Sequence, residues 1–353
     1  MTTFGRLFVP DSLRAAVSDE AWLAAMLDAE RALAQATGDE EAAEACRPEL
    51  YDIEQLCEEG RADGNPVVPL ARALRGRAPG AHRGATSQDI LDTAAMLVVR
   101  DARALVIGEL DGAAAACASL AERHRATPMA ARTLLQQAAP VTFGLKAAGW
   151  LVGLVDARQW LAAVRLPAQL GGPVGSIDPQ VTAAFAAAIG LEEPVVPWHV
   201  HRRPVAELGA ALAAAAAACA KVGLDVVLLA QTEVGEVSEA APGGSSSMPH
   251  KRNPAAAVLA RSCSRLVHAV AGVLTSGEHE HERAAGAWQA EWPALSAALA
   301  FAGGAAAAIR RSLEGLEVHA DRMRTNVAVE PLSGQDPEAL VDRALARYRA
   351  EAR

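Results

Sequence analysis

Apolar residues recur at helical spacing from the start of the chain. Trp22, Leu23, Met26, Leu27 and Leu33 mark one helix, with Ser18 as N-cap, Asp19 and Glu20 at its positive end, and Gly38 as its stop. From Thr37 to Gly80 the pattern is broken by Gly60, Gly64, Pro66, Pro69, Gly76 and Pro79, which predicts short helices and turns. Long helix-favouring stretches follow, from Ser87 to about Glu122 and from Val141 to Arg165, the latter stopped by Pro167 and Gly171-Gly172-Pro173. A third runs from Pro204 to Glu239, roughly 50 Å at 1.5 Å per residue. Two more span Pro254 to Glu282 and Glu291 to Glu314. Five such helices predict an all-α long-helix bundle over 87–316, with a small helical N-terminal domain over 1–86 and a short C-terminal region over 317–353.

Composition sharpens this picture. Hydrophobic residues make up 51% of the 353 but aromatics only 4%, so the core is built largely of Ala, Leu and Val and an all-β fold is excluded. The net charge of −9 provides no field for nucleic acid, and an anionic ligand must be held by local residues. The five Cys (Cys46, Cys57, Cys117, Cys219, Cys263) form no CxxC pair and read as reduced core thiols of a cytoplasmic protein. No signal peptide is visible at the N-terminus. The uncharged run Trp292–Ile309 approaches the length of a membrane span, but Pro293, Ser296, Gly303 and Gly304 favour burial in a bundle, hence a soluble chain. Helices of this length expose apolar surface in a monomer, which predicts self-association.

The most informative segment is Gly243-Gly244-Ser245-Ser246-Ser247-Met248-Pro249-His250-Lys251-Arg252-Asn253-Pro254. It reads as a mobile loop carrying hydroxyls, a Lys and an Asn before a helix N-terminus whose N–H groups attract anions, a combination suited to stabilising an enediolate. Composition alone equally allows a Gly/Ser linker. His82-Arg83-Gly84-Ala85-Thr86-Ser87-Gln88-Asp89 places donors at the start of the first long helix, where an N-cap is the plain alternative. His199 and His201, like His279 and His281, stand two apart and lack the i,i+4 spacing of a zinc motif. The Gly171-Gly172 turn lacks a dinucleotide fingerprint, so no metal and no cofactor is expected.

The string Ser245-Ser246-Ser247-Met248-Pro249-His250-Lys251-Arg252-Asn253 resembles the signature loop of the fumarase/aspartase superfamily, Ser-Ser-x-Met-Pro-x-Lys-x-Asn. The segment from His82 to Thr93, and Arg132-Thr133-Leu134-Leu135-Gln136 followed by Pro140-Val141-Thr142-Phe143-Gly144, are similar to two further regions of that superfamily, in the form of its 3-carboxy-cis,cis-muconate cycloisomerases. Leu134 stands where fumarases and adenylosuccinate lyases have His, so the proton-carrying or orienting role of that His is absent or supplied elsewhere. Arg203 stands where this group more often has Asp, and the C-terminal region looks shortened.

The resemblance implies cofactor-independent closure of 3-carboxy-cis,cis-muconate to 4-carboxymuconolactone, a step of protocatechuate breakdown. An adenylosuccinate-like fumarate-releasing lyase and a sulfomuconate cycloisomerase are the alternatives. By the family pattern Ser245 moves the proton, helped by Lys251 and the dipole of the following helix, and Lys251 and Asn253 bind the enediolate. Thr86, Ser87, Gln88, Thr133 and Gln136 bind the other carboxylates, with Ser246 and Met248 also on the substrate side. His82 and His199 are candidates for proton transfer or orientation, and Arg202 and Arg283 are reserve anion binders. A homotetramer with composite sites follows from the resemblance, taking a small polycarboxylate and no nucleic acid or membrane.

Overall fold

The computed structural model describes residues 4–330, 333–334 and 336–351. The N-terminal segment folds as α1 (Gly5–Phe8), α2 (Asp11–Ala16), α3 (Asp19–Ala36), α4 (Glu40–Ala45), α5 (Ile53–Gly60) and α6 (Val67–Arg77). Ser18 caps α3 as its position predicts, its Oγ accepting the N–H of Ala21 at 3.3 Å. The long helices then run up and down. They are α7 (Ser87–Arg123), α8 (Phe143–Ala163), α10 (Arg203–Leu229), α11 (Ala255–Thr275) and α12 (Ala287–Glu314), with α9 (Pro179–Ile189) lying on α3. Small residues let these helices close in. A Cβ on Gly304 would lie 2.4 Å from the Phe8 carbonyl oxygen, and one on Gly223 would lie 2.8 Å from that of Ala257. One hydrophobic cluster extends from Val9 to Leu345, so the N-terminal helices share the bundle's core.

Two small sheets depart from an all-helical reading. β1 (Pro128–Thr133) and β2 (Gln136–Thr142) form an antiparallel hairpin between α7 and α8. β3 (Val237–Glu239) pairs antiparallel with β4 (Leu316–Val318), so the boundary expected at 316–317 falls inside a strand. α13 (Ala320–Asn326) packs on β1, and α14 (Pro337–Glu351) lies along α8 and α7, where Arg347 meets Asp156 and Arg349 meets Glu122.

Three long helices differ in their ends from the sequence expectation. α10 stops at Leu229 rather than Glu239, because the chain turns at 231–234 and Gly235 adopts φ +60° on the way into β3. α11 stops at Thr275 ahead of Gly277 (φ +63°), and α12 starts four residues early, at Ala287, tolerating Pro293 in its second turn. Four thiols are buried as expected, but Cys57 is exposed. By length and composition four helices (α7, α10, α11, α12), not one borderline run, are apolar enough to cross a membrane. Asp92, Arg202, Asp225 and Glu291 are buried among them, paired or hydrogen-bonded as interior charges must be.

Candidate active site

The segment before α7 is organised by one carboxylate. Asp89 sits three residues after Thr86, the position from which a side chain reaches back to the N-cap backbone. Fully buried, it accepts the N–H groups of Thr86, Gly171 and Gly172, each at 2.9 Å, and meets His199 Nε2 at 2.7 Å. Gly172 (φ +68°) passes so close that a Cβ there would lie 2.7 Å from the Gly84 carbonyl oxygen. The 82–86 segment, the 170–176 turn and His199 are thereby locked together, and of the three donors at the start of α7 Thr86 and Ser87 are partly exposed while Gln88 is buried.

Three sequence expectations change here. Gln88 is fully buried, and its amide nitrogen donates to Asp92 (3.0 Å) and to the His199 carbonyl (2.8 Å), so within this chain it offers a carboxylate no N–H. Arg202, 3% exposed, is clamped by Asp92 (2.7 and 2.9 Å) and Glu291 (3.1 and 3.2 Å) over the Trp198 ring. Burial works against its charge, but Asp92 and then Glu291 outweigh it and hold the guanidinium above its usual range. Already shared by two anions, it is a structural ion rather than a reserve anion binder. His199 is likewise held by Asp89 and buried among packing residues. Arg283 stays partly exposed while donating to Gln88 Oε1 (3.2 Å) and the Pro173 carbonyl (2.9 Å). His82 faces Glu30.

The second region occupies the hairpin. Thr133 pairs with Gln136 across a two-residue turn in which Leu134 (φ +50°) and Leu135 (φ +64°) both lie in the left-handed region that such turns normally fill with Asn-Gly. All four residues are exposed, Leu134 by 98%. The hairpin is anchored at Arg132, which grips the buried Glu236 with two hydrogen bonds (3.0 and 2.6 Å), while Asn326 of α13 donates to the same carboxylate at 2.8 Å.

The serine loop emerges at the same end of the bundle. Its base is closed by paired backbone bonds between Gly243 and Asn253 (2.8 and 3.0 Å), and Asn253 Nδ2 donates to the Gly244 carbonyl at 2.9 Å. Ser245 Oγ accepts the Met248 N–H at 3.1 Å, while Ser246, Met248 and Lys251 are exposed. The helix N-terminus behind the loop is not open to an anion. The carboxylate of Glu239, 4% exposed, already accepts the N–H groups of Ala256 (3.1 Å) and Ala257 (2.9 Å) and the Ser312 hydroxyl (2.7 Å). The helix dipole that was expected to assist Ser245 is thus met by an internal carboxylate.

Thr86 and the hairpin lie at opposite ends of α7, whose 37 residues span about 55 Å. The serine loop starts α11, and the 21 residues of that helix put about 30 Å between Ala255 and the loop that carries Arg283 to Gln88. One chain therefore does not bring all three regions to one small molecule. Asp89, Glu236, Glu239, Glu291 and Glu30, which organise these regions, were not singled out from sequence. Only Asp89 had a local signal, its capping position after Thr86.

This up-and-down bundle with a serine loop at one end and a Thr-Ser-Gln helix start at the other defines a lyase of the fumarase/aspartase class. The lyase family profile matches residues 78–268, and the chain belongs to that family. Among similar proteins, a nitrosuccinate lyase of Streptomyces davaonensis is 48% identical over 89% of this chain and 74% of its own length. A 3-carboxy-cis,cis-muconate cycloisomerase of Pseudomonas aeruginosa is 42% identical over 92% of this chain and 78% of its own. The crystal structure of the 3-carboxy-cis,cis-muconate lactonizing enzyme from Pseudomonas putida superposes with a TM-score of 0.86 at 34% identity, covering 99% of this chain and 88% of that one.

Proposed function

We propose that this lyase-family chain is a cycloisomerase that closes 3-carboxy-cis,cis-muconate to 4-carboxymuconolactone without a cofactor, in a homotetramer whose copies each lend one region to a site. A substrate carboxylate oxygen adds to a double bond of the same molecule, and the electron pair moves onto the carbon beside a second carboxylate as an enediolate. The Ser245 hydroxyl gives that carbon a proton and is reprotonated from solvent. Lys251 and Asn253 hold the enediolate, and Thr86, Ser87, Thr133 and Gln136 hold the remaining carboxylates. Asn253 can do so with the amide hydrogen not given to Gly244.

The observation that carries this reading is Leu134, an apolar, 98% exposed hairpin tip in a chain whose serine loop is intact. Expulsion of an amine, as from adenylosuccinate, needs a proton on the leaving nitrogen, and Leu134 brings none. Lactone closure has no such need, because the group added or lost is a stable carboxylate. The same logic admits a second reading, favoured by the 48% identity to a nitrosuccinate lyase. There, Ser245 as its alkoxide takes a proton from the carbon beside one carboxylate of nitrosuccinate. The electrons form the double bond of fumarate, and the nitro group leaves with its bonding pair as nitrite, itself a stable anion.

Parallel incubation with 3-carboxy-cis,cis-muconate, nitrosuccinate and adenylosuccinate tests the proposal. Loss of diene absorbance supports the cycloisomerase, nitrite release without diene loss supports the second reading, and fumarate from adenylosuccinate overturns both.

A further inference from the structure

Leu134 leaves the reaction without a nitrogen base at that position, and the segment between α6 and α7 holds a histidine, His82, that the mechanism proposed above does not use. His82 is 8% exposed and Glu30 of α3 is 2% exposed, yet they meet with Nδ1 2.6 Å from Oε1, 52 residues apart in sequence. His82 adopts φ +59°, a conformation that costs a non-glycine residue about 1 kcal/mol or more and persists only where the surroundings hold it. Glu30 Oε2 is buried with no hydrogen-bond partner, so this carboxylate is committed to the imidazole rather than to a network. Its charge reaches the buried Cys46 as well, whose thiol is pushed up to about 12 by burial first and Glu30 second.

Among the described residues His82 Nε2 has no hydrogen-bond partner and is not fully sealed from solvent. His82 stands four residues before Thr86, whose backbone is fixed by Asp89.

From this geometry we infer that Glu30 is a positioning residue that fixes His82 with Nδ1–H toward its carboxylate, leaving Nε2 as the proton carrier on the Thr86 side of the site. The inference rests on the enediolate reading above and deepens it. In lactone closure, which takes up one proton, Nε2 takes that proton from solvent, the imidazolium charge forms beside the Glu30 carboxylate, and the same nitrogen passes the proton to the Ser245 oxygen left bare when its own proton goes to the substrate carbon. A carboxylate that accepts from Nδ1–H selects the tautomer and orients the ring.

The test is a double-mutant cycle on the full chain with Glu30→Gln, His82→Gln and both, using whichever substrate the wild type turns over. His82→Gln lowers kcat about 100-fold and Glu30→Gln about 10-fold, with KM changed less than about twofold. The double variant falls no further than His82→Gln alone, because Glu30 acts through the ring. A substrate-free readout accompanies it, the exchange rate of the His82 ring C2 hydrogen read by peptide mass spectrometry. This rate changes in Glu30→Gln and returns toward wild type in Glu30→Asp. Additive losses in the cycle, or an unchanged exchange rate in Glu30→Gln, overturn the inference. Absence of turnover in the wild type with every substrate, beside a changed exchange rate, overturns the enediolate reading while leaving the Glu30–His82 pairing in place.

Discussion

The carboxylate of Glu239 caps α11 and thereby seats the base of the serine loop, which makes Glu239→Ala the most quantitative perturbation available. The substitution leaves two helix N–H groups and the Ser312 hydroxyl, now at 3.1, 2.9 and 2.7 Å from their acceptor, without a partner. A buried donor left unpaired costs about 1–3 kcal/mol. The three donors line one small void that a water can enter, and removing the carboxylate relieves its own desolvation, so we expect about 3–4 kcal/mol rather than the full sum. At about 2.1 cal/mol/K per residue, a 353-residue chain unfolds with an entropy of roughly 0.7 kcal/mol/K, so Tm falls by about 4–6 °C. Glu239→Gln keeps one acceptor oxygen and loses about half as much. Circular-dichroism melts at one fixed protein concentration measure the effect, since the proposed self-association would make Tm depend on concentration. A Tm within about 1 °C of wild type for Glu239→Ala would refute the claim that this carboxylate holds the helix start and meets its dipole behind the serine loop.

Further outcomes follow from the same bookkeeping of buried groups. Asp92→Asn strips Arg202 of one partner and the Trp288 indole N–H of a charged acceptor, and chemical denaturation should show a loss of about 3–5 kcal/mol. In native protein one thiol, Cys57, reacts rapidly with a disulfide reagent and four more react only after unfolding; two or more fast thiols would contradict the packing. Burial raises Cys46, Cys219 and Cys263 from 9.0 to about 12, so their stabilisation is complete below pH 9 and is lost as pH rises through 12. Urea midpoints should therefore fall between pH 9 and 11, less steeply in Cys219→Ala. Replacing the tip by Leu134→Asn with Leu135→Gly suits the left-handed turn and should raise stability by about 1 kcal/mol. If that tip contacts substrate, the same variant loses turnover.

Much of this architecture was legible in the sequence because α7, α8 and α12 are long and alanine-rich, with Pro167 after α8 and Gly315 just past α12. The hairpin was not legible, since Ala130-Ala131 and Ala138-Ala139 carry no strand preference and Leu134-Leu135 replaces the usual turn residues. What holds those residues as strands is tertiary, through Arg132 on Glu236 and α13 on β1. At the site, the serine loop and the Thr86 segment were readable as motifs, whereas the buried carboxylates behind them were not. Asp89 and Glu239 each serve donors from segments far apart in the chain, and no local pattern announces such a meeting. The same blindness assigned Gln88 and Arg202 to the ligand, when both are consumed by Asp92.

Ser245 is the group proposed to move a proton at the carbon beside a substrate carboxylate. Its most direct test runs wild type and Ser245→Ala in D2O with 3-carboxy-cis,cis-muconate, following diene absorbance and the mass of the lactone. Wild type should yield lactone carrying one solvent deuterium at that carbon, and Ser245→Ala should be inactive with unchanged Tm and oligomeric state. Lactone formed by Ser245→Ala at a near wild-type rate, with the same label, would contradict the assignment.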